Sequence, residues 1–352
     1  MGRLITKQIW ATPWLEKNNY FMKLHILATI TEKAWGGANQ FLKILRAELR
    51  RAGNYAETSA ESDFILMNSY QDLLAAAICL LHFPKKIVVH RLGPIFSYHR
   101  RKYWKYVDKL VAQFANIVAD SVVFQSHWSL EQTYQFGFNK NKKHVVIGNA
   151  VDPTIFFPKS PGVRTGKIKL IATSWSTNPN KGFEYYEFLD KHLDFSKYEF
   201  TFVGNCPVRF NNIQQIKALP SAELAYQLRT HDIYVSAVHN DAYSNGILEA
   251  LASGLPVVAL DSGGNREVVE GGGILFKDKN DLLEKITNVA DRYSEFQNKI
   301  SVKSISEITT RYLEAARGSS DGKKRNTLLL VWLIGKAFIV INAVRLADKL
   351  RG

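Results

Sequence analysis

Cysteine is scarce in this chain, with Cys79 and Cys206 the two examples in 352 residues. Two cysteines cannot build the disulfide framework of a small secreted protein, so we expect a reducing, cytoplasmic compartment. Residues 1–21 have no continuous apolar core and include Lys7 and Glu16, so we expect no secretory signal in them. We interpret residues 1–21 as a disordered N-terminal arm or an upstream over-reading of the start.

Several catalytic and binding motifs are also missing. The sequence has no Asp-x-Asp, His-x-x-x-His, Cys-x-x-Cys, G-x-S-x-G or Walker lysine motif. It therefore predicts neither a metal site nor a cofactor. Zinc-finger spacing, RNP-like aromatic motifs and basic helix repeats are absent as well, which argues against nucleic acid as a partner.

Acidic residues are outnumbered, 32 against 46 basic ones, for a net charge of +14. Net charge informs about partners rather than fold. The excess of positive charge fits three kinds of anionic partner: a small-molecule donor of a transferred group, a lipid-linked acceptor of that group, or a membrane surface.

What the sequence does contain is an alternation of apolar runs and amphipathic stretches, in two halves. We predict strands at Leu24–Ile30, Phe64–Met67, Ile87–His90, Ser121–Phe124 and His144–Gly148, with helices such as Asn39–Ala52 and Asp72–Leu81 between them. The second half predicts strands at Ile168–Thr173, Glu199–Val203, Ile233–Ser236, Val257–Leu260 and Gly273–Phe276. Its predicted helices are Phe183–His192, Ala222–Arg229, Gly246–Ser253 and Asp281–Tyr293. This pattern is typical of two doubly wound parallel-sheet α/β domains facing a cleft.

The two halves meet at a proline-rich segment. Pro153 and Pro158 flank Phe156-Phe157, and Pro161-Gly162 follow. We predict an N-terminal domain over 22–150, a linker over 151–165 and a C-terminal domain over 166–320. A basic and apolar tail occupies 321–352.

The segment from Asp241 to Glu249 carries the strongest functional signal. The two carboxylates stand eight residues apart, a little over two helical turns, and can line one cleft wall. A helix predicted to start near Asn245-Gly246 leaves backbone N–H groups free around Ser244 to Ile247, where the helix dipole favours an anion. Amides for a phosphate and carboxylates for hydroxyls suit a nucleotide sugar.

This segment, with Gly254-Leu-Pro-Val-Val258 after it, resembles the E-x7-E segment of retaining GT-B glycosyltransferases of family four, the glycosyl transferases group 1. Asn149-Ala-Val-Asp152 resembles the family's linker, and Gly263-Gly264-Asn265-Arg266-Glu267 resembles its G-G-x-x-E segment. The resemblance covers about residues 22–317. It implies a GT-B fold with the donor on the second domain, the acceptor on the first, and no metal.

The resemblance also assigns roles to residues of the second half. Glu249 accepts hydrogen bonds from the ribose hydroxyls, Asp241 faces the donor sugar, and Lys181 supports the departing diphosphate. Ser244, Asn245, Gly246 and Ile247 complete the donor site. The arginine expected five residues before Lys181 is replaced by Ser176. Either Lys181 alone neutralises the diphosphate, or another cation such as Arg91 or Arg209 extends into the donor site.

In the first half, Gly36 and Gly37 resemble the glycine pair that lets the backbone approach the donor. His90 occupies the place of a histidine that contacts the transferred sugar, which makes it a fourth catalytic candidate beside Lys181, Asp241 and Glu249. Arg91 is a candidate for binding an anionic acceptor. Ser126 is predicted to cap a helix, and Glu267 has a structural or a functional role.

The tail joins Lys323-Lys324-Arg325 to an apolar run over 328–344, interrupted by Lys336 and Asn342. Seventeen residues make about 25 Å of helix, short of a ~30 Å hydrocarbon core, so the pattern does not establish a membrane span. Either the helix packs on the first domain, or it tethers the protein to the inner face of the cytoplasmic membrane through a basic collar over 323–351.

The sequence thus predicts transfer of a sugar from a nucleotide sugar to a glycan or lipid-linked hydroxyl, with retention, in assembly of a surface polysaccharide, lipopolysaccharide or other glycolipid. Two alternatives stay open: a GT-B epimerase or phosphorylase, and a basic membrane- or nucleic-acid-binding protein with a degenerate cleft.

Overall fold

The computed structural model describes residues 22–31, 37–158, 166–317 and 324–351. The predicted N-terminal arm, Gly36, residues 159–165 of the linker and residues 318–323, which include Lys323, lie outside these residues. The described strands are β1 Leu24–Ile26, β2 Phe64–Asn68, β3 Ile87–Leu92, β4 Ser121–Phe124, β5 His144–Val146, β6 Ile168–Ser174, β7 Tyr198–Gly204, β8 Gln214–Ile216, β9 Ile233–Ser236, β10 Val257–Leu260 and β11 Gly273–Phe276.

The helices alternate with these strands. They are α1 Gly37–Arg51, α2 Leu73–His82, α3 Phe96–His99, α4 Lys105–Val118, α5 His127–Tyr134, α6 Phe183–His192, α7 Ser221–Arg229, α8 Asn245–Ala252, α9 Asn265–Val269, α10 Lys279–Asp291, α11 Tyr293–Asn298, α12 Ile305–Arg317 and α13 Thr327–Arg351. Short 3-10 helices occur at Lys102–Trp104 and Pro179–Lys181.

The first domain is built on a five-stranded parallel sheet in the order β1-β2-β3-β4-β5. Strand β2 is buried at every position, as expected for a parallel strand covered on both faces. One face packs against α2, α4 and α13, and the other against α1 and α12.

The second domain is built on a six-stranded parallel sheet in the order β11-β10-β9-β6-β7-β8. The strand order reverses between β6 and β9, which pair in parallel. Loops that leave the carboxyl ends of two strands on either side of such a reversal diverge and open a crevice for ligands. This topology confirms the predicted fold of two doubly wound α/β domains.

Most predicted elements appear within two residues of their expected bounds, with β1 shorter than expected. Sequence patterns did not indicate α3, α4, β8, α9, α11 or α12. Helix α12 falls inside the range predicted for the second domain, yet Ile308, Tyr312 and Ala316 are buried in the core of the first. The chain therefore crosses back to the first domain before residue 305, because the apolar stripe of α12 packs against α1 and against β3 and β4 of the first sheet.

The tail forms a 25-residue helix, α13, that lies along the first domain. Leu330, Leu333, Ala337, Ile341 and Val344 are buried against α2 and α4, so the predicted packing on the first domain is what the structure shows. Of the helices in the described ranges, this is the one long and apolar enough to cross a membrane by length and composition. Arg325 cannot serve as an exposed cation of the predicted basic collar, because its side chain is buried and forms an ion pair with Asp120.

Candidate active site

A cleft of about 310 Å³ opens between the two domains at the carboxyl ends of their strands. The first domain contributes Gly37, Ala38, Gln40, Arg91, Pro94, Gln125 and, just before the linker, Asn149. The second contributes the ends of β6, β7 and β9 and the start of α8, including Thr173, Trp175, Lys181, Gly204, Asp241, Ser244, Asn245, Gly246 and Glu249. The cleft thus lies at the strand reversal of the second sheet.

Helix α8 points its N-terminus into this cleft. Ser244 occupies the N-cap position with an extended backbone, but its hydroxyl makes no capping bond within the described chain. Since the first intrahelical bond runs from the Leu248 N–H to the Ser244 carbonyl, the amides of residues 245–247 precede the helical ladder and are donors for a ligand. The Ile247 side chain itself is buried in the core, so only its backbone faces the site.

Gly246 lets this helix approach β6 and β9. A Cβ atom at residue 246 would lie 2.5 Å from the Tyr234 hydroxyl and 3.2 Å from the Thr173 hydroxyl, which are themselves 2.7 Å apart. Only glycine fits there without displacing these side chains. The Asn-Gly pair therefore sets both the helix start and its depth in the cleft.

Glu249 lies one helical turn beyond this N-terminus, about 6 Å along the axis. Its side chain borders the cleft, and burial raises the pKa of its carboxyl group to about 8. No hydrogen bond or ion pair from the described residues reaches the carboxylate. The residue itself is partly exposed at the cleft wall, so its carboxyl group is available to a ligand that donates hydrogen bonds, such as a vicinal diol.

Lys181 and Asp241 face each other at the other side of the helix N-terminus. The Lys181 ammonium is 3.8 Å from an Asp241 carboxylate oxygen, and both side chains are about one third exposed, 30% and 28%. Gly182, which follows Lys181, adopts φ +70°, and a Cβ atom there would lie 2.1 Å from the Ala237 carbonyl oxygen. The lysine is therefore held close to the end of β9 by a position that requires glycine.

The loop that carries Asp241 is supported by Gly263 and Gly264. The Gly264 N–H donates to the Asp241 carbonyl at 2.7 Å, and a Cβ atom on Gly264 would lie 2.1 Å from the Ala242 carbonyl oxygen. The buried Asn265 amide donates to the carbonyls of Val238 and Leu260, both at 2.9 Å. The G-G-N sequence thus forms the predicted turn and fixes the position of the Asp241 loop.

On the first domain, Gly37 starts α1 directly opposite Asn245, whose side-chain nitrogen would be 2.2 Å from a Cβ atom at residue 37. Arg91 lines the cleft but is otherwise buried, donating to Asn68 at 2.6 Å and to Asn149 at 2.8 Å. Its charge has neutral amide partners and the Phe41 ring, 4.8 Å away. Arg91 is thus a cation behind the cleft wall. Exposed Arg209 does not line this cleft.

The prediction that His90 faces the cleft is wrong. Consecutive strand residues point to opposite faces of a sheet, and His90 points to the α2 and α4 side while Arg91 points to the α1 side. The imidazole is fully buried, one ring nitrogen lies 3.0 Å from the Ser69 carbonyl oxygen, and burial lowers its pKa to about 4. It is a neutral structural group, so the catalytic candidates that line the cleft are Lys181, Asp241 and Glu249.

Sequence reasoning missed the residues that hold the two domains together. Asn149 donates to the Asn245 side chain at 2.7 Å, and Asn178 and Asn180 donate to the backbone oxygens of His99 and Tyr98 at 2.8 and 2.6 Å. Glu267 accepts from the N–H groups of His127 and Trp128 at 2.7 and 2.9 Å. Glu267 therefore has a structural role, capping α5 beside Ser126, which makes the predicted capping bonds.

The described residues also include Trp175, half exposed at the cleft beside Ser176, where the arginine of the family pattern would fall. No group of three or more His, Cys, Asp or Glu side chains in the described ranges is placed to hold a metal ion.

Residues 178–292 match the family model of the glycosyl transferases group 1. This range holds Lys181, Asp241 and Glu249 and covers the central part of the second domain. The chain matches no curated protein sequence significantly.

Solved structures show the same fold over most of the chain. The Anabaena protein Alr3699/HepE in complex with UDP-glucose superposes with a TM-score of 0.62 at 18% identity, over 90% of this chain and 99% of that one. The lipopolysaccharide outer core galactosyltransferase WaaB superposes at 0.62 and 12% identity, over 84% and 99%. Sucrose-phosphate synthase from Thermosynechococcus elongatus superposes at 0.60 and 14% identity, over 92% and 100%. The fold of this protein is GT-B.

Proposed function

We propose that this protein is a glycosyltransferase that takes a sugar from a nucleotide-sugar donor held mainly by the second domain. The observation that carries the proposal is Glu249, a carboxyl group without a partner in the described chain, one turn behind open helix amides. The match of residues 178–292 to the glycosyl transferases group 1 and the UDP-glucose bound to Alr3699/HepE support it.

In the proposed complex the diphosphate sits at the N-terminus of α8, where three amides and the helix dipole favour negative charge. Lys181 adds a cation on the same side, and Glu249 accepts hydrogen bonds from the two ribose hydroxyls. Asp241 then receives hydroxyls of the sugar. Before the donor binds, the Asp241 carboxylate and the Lys181 ammonium, 3.8 Å apart, partly neutralise each other.

The proposed reaction retains the configuration of the anomeric carbon. The bond from the anomeric carbon to the diphosphate oxygen breaks, and its electron pair stays on the diphosphate. The acceptor hydroxyl oxygen attacks from the same face, and its proton passes to the departing phosphate oxygen. Lys181 and the α8 amides stabilise the charge that builds up on the leaving group, and the proposal requires no metal.

The proposed acceptor is a hydroxyl of a glycan or lipid-linked sugar, bound against the first domain beside Gly37 and Arg91. The buried charge of Arg91, whose neighbours in the described structure include the neutral side chains of Asn68, Asn149 and Tyr312, favours an acceptor with an anionic group. We place the protein in the cytoplasm, in assembly of a surface polysaccharide or lipopolysaccharide. Both cysteines are free, which fits a reducing compartment.

The first test is binding of nucleoside diphosphates and their sugars, measured as a rise in the unfolding temperature. We expect wild-type protein to be stabilised by at least one nucleoside diphosphate. Glu249→Ala should bind it at least about tenfold more weakly, because the ribose loses charge-assisted hydrogen bonds. The exposed Glu223→Ala serves as the matched control and should bind like wild type.

The second test follows products from a labelled donor, with and without sugar acceptors. The proposal is supported if sugar transfer requires an acceptor and if kcat for transfer falls about 100-fold or more in Lys181→Ala. Conversion of the donor without any acceptor would instead indicate an epimerase. Unaltered donor binding in Glu249→Ala would remove the basis of the proposal.

A further inference from the structure

The outward side of α13 is apolar. Exposed side chains recur on one side of the helix, and eight of them are large and apolar: Leu328, Leu329, Val331, Trp332, Phe338, Ile339, Leu346 and Leu350. All of these except Leu329 fall within an arc of about 120°. Phe338 and Ile339 are 60% and 67% exposed. The stripe runs about 33 Å along the axis. A helix on the surface of a soluble protein normally turns polar residues outward there.

Few polar side chains interrupt this stripe, and among the described residues the exposed ones within it are Asn342 and Lys349. Asp348, the one acidic residue in its sequence, accepts hydrogen bonds from Tyr103 and Trp104 of the first domain. The Lys336 ammonium donates to Gln113, and the Asn342 amide donates to the Phe338 carbonyl of its own helix. The outward side is therefore free of acidic residues over its whole length.

Helix α2 extends the apolar area. Its exposed side chains Ile78 and Leu81, and Phe83 just beyond its end, are each more than one third exposed. Arg325, two residues before α13, bonds to the carbonyls of Pro84 and Lys86, so the end of α2 lies beside the start of α13. We call the exposed apolar side chains of α13 and α2 together the outer face.

Cations stand at both ends of the outer face. Near the start of α13 are Lys85 and Lys324, and a cavity of about 390 Å³ lined in part by Lys142, Lys143 and Lys324. Near its end, beside the Tyr103 and Trp104 bonds to Asp348, the exposed side chains of residues 100–109 are rich in Lys and Arg. They include Arg100, Lys102, Lys105 and Lys109. The acidic residue of that stretch, Asp108, is buried and accepts from the Phe96 and Ser97 N–H groups.

We propose that the outer face binds the surface of an anionic lipid membrane, with α13 lying in the plane of the interface. Its apolar stripe would enter the boundary between headgroups and acyl chains, and the cations at each end would meet lipid phosphates. The helix cannot span the bilayer in this arrangement, since its inner side is part of the domain core. A second copy of the chain fits less well, because each copy would bring its own cationic ends against those of the other.

This orientation would also place the cleft near the lipid surface. Tyr98 and His99, which precede the basic stretch 100–109, accept hydrogen bonds from Asn180 and Asn178, next to Lys181. Access to a lipid-linked acceptor is the consequence, and this last step rests on the proposed function. Membrane binding itself does not.

Co-sedimentation of the full chain with vesicles tests the inference. We expect binding to vesicles in which phosphatidylglycerol replaces one third of the phosphatidylcholine, weaker binding to phosphatidylcholine alone, and a decrease with added salt. The double variant Phe338→Asp/Ile339→Asp should lower the partition coefficient on the order of tenfold or more, because two apolar side chains no longer enter the interface. Tyr226→Asp, which alters a 61% exposed aromatic residue on the second domain, is the matched control and should bind like wild type.

A second pair of changes, Lys102→Glu and Lys105→Glu, tests the charge contribution independently. Each should weaken binding to anionic vesicles about fivefold and reduce its salt dependence. The surface variants at residues 102, 105, 226, 338 and 339 should unfold at the wild-type temperature, because these side chains are exposed. Glu249→Ala should bind vesicles normally, so a failure of the donor site cannot imitate a failure of the outer face.

Equal pelleting of wild type and Phe338→Asp/Ile339→Asp would overturn the inference. The inference would also be overturned if wild type did not bind vesicles but self-associated in sedimentation velocity, and if the same double variant abolished that self-association. That outcome would make a second copy of the chain the occupant of the outer face.

Discussion

At the scale of single residues, the surroundings of Glu249 change what a carboxyl group does. A solvated glutamate is ionised at neutral pH, but burial at the cleft raises the pKa of Glu249 to about 8. In the ligand-free protein this side chain is therefore largely protonated at pH 7. Donors of hydrogen bonds favour the ionised form, so binding a ribose there should release a proton.

We predict that affinity for the nucleoside diphosphate rises as the pH increases from 6 to 8, by up to about tenfold per pH unit. Titration calorimetry in buffers of different ionisation enthalpy measures both the affinity and the released proton. Glu249→Gln cannot ionise at residue 249 and is the control for ionisation of the ligand. Its affinity should change with pH only as far as the ligand itself ionises. Equal pH profiles for the two proteins would mean that Glu249 does not contact the ligand as a carboxylate.

The same shift makes the stability depend on pH. The pKa is higher in the folded protein, about 8, than its ordinary value of 4.5, so the folded state holds the extra proton between these values. The free energy of unfolding then falls as the pH rises across this window, by up to about 1.4 kcal/mol per pH unit. Urea denaturation at pH 6.5 and 8 compares wild type with Glu249→Gln, in which this part of the loss should disappear.

At the scale of elements, short glycine-containing turns place the catalytic candidates. The Gly263-Gly264 turn packs against the backbone of Asp241 and Ala242, and Gly182 brings Lys181 close to the end of β9. At these turns the main chains pack more closely than a residue with a Cβ atom would allow, and this close packing places Lys181 and Asp241 at the cleft.

We predict that Gly264→Ala lowers the free energy of unfolding by about 1–3 kcal/mol, since the new methyl group meets the Ala242 carbonyl. The Asp241 loop must move to relieve this contact, so transfer should fall as well. Gly335→Ala, with open space around the added carbon on α13, is the matched control and should be neutral or stabilising. Urea denaturation and donor turnover check both. Full activity in Gly264→Ala would show that the turn does not position Asp241.

At the scale of the whole molecule, bonds between the domains define the cleft. Glu267 reaches from the second domain to the N-terminus of α5 in the first, where its charge also interacts favourably with the helix dipole. Asn149 and Asn245 form a second bridge directly behind the donor amides.

We predict that Glu267→Ala favours a more open arrangement of the two domains. The radius of gyration measured by small-angle X-ray scattering should increase, and the KM for the donor should rise several-fold, with binding of the nucleoside diphosphate to the second domain largely kept. Glu223→Ala, on the surface of α7, should leave all three quantities unchanged. An unchanged radius of gyration in Glu267→Ala would mean that other contacts keep the cleft closed.

The sequence by itself determined the two α/β halves, most strand and helix positions, and the two segments that carry Lys181 and the Asp241–Glu249 pair. These features depend on local periodicity and on residues close together in the chain, which a pattern can report. The tertiary structure alone decided that His90 points away from the cleft, that α12 belongs to the first core, and that Glu267 joins the domains. It also decided which side of α13 is buried. Each of these depends on which distant surfaces meet, because residue spacing along one chain shows which face of an element is apolar but not which distant element covers that face.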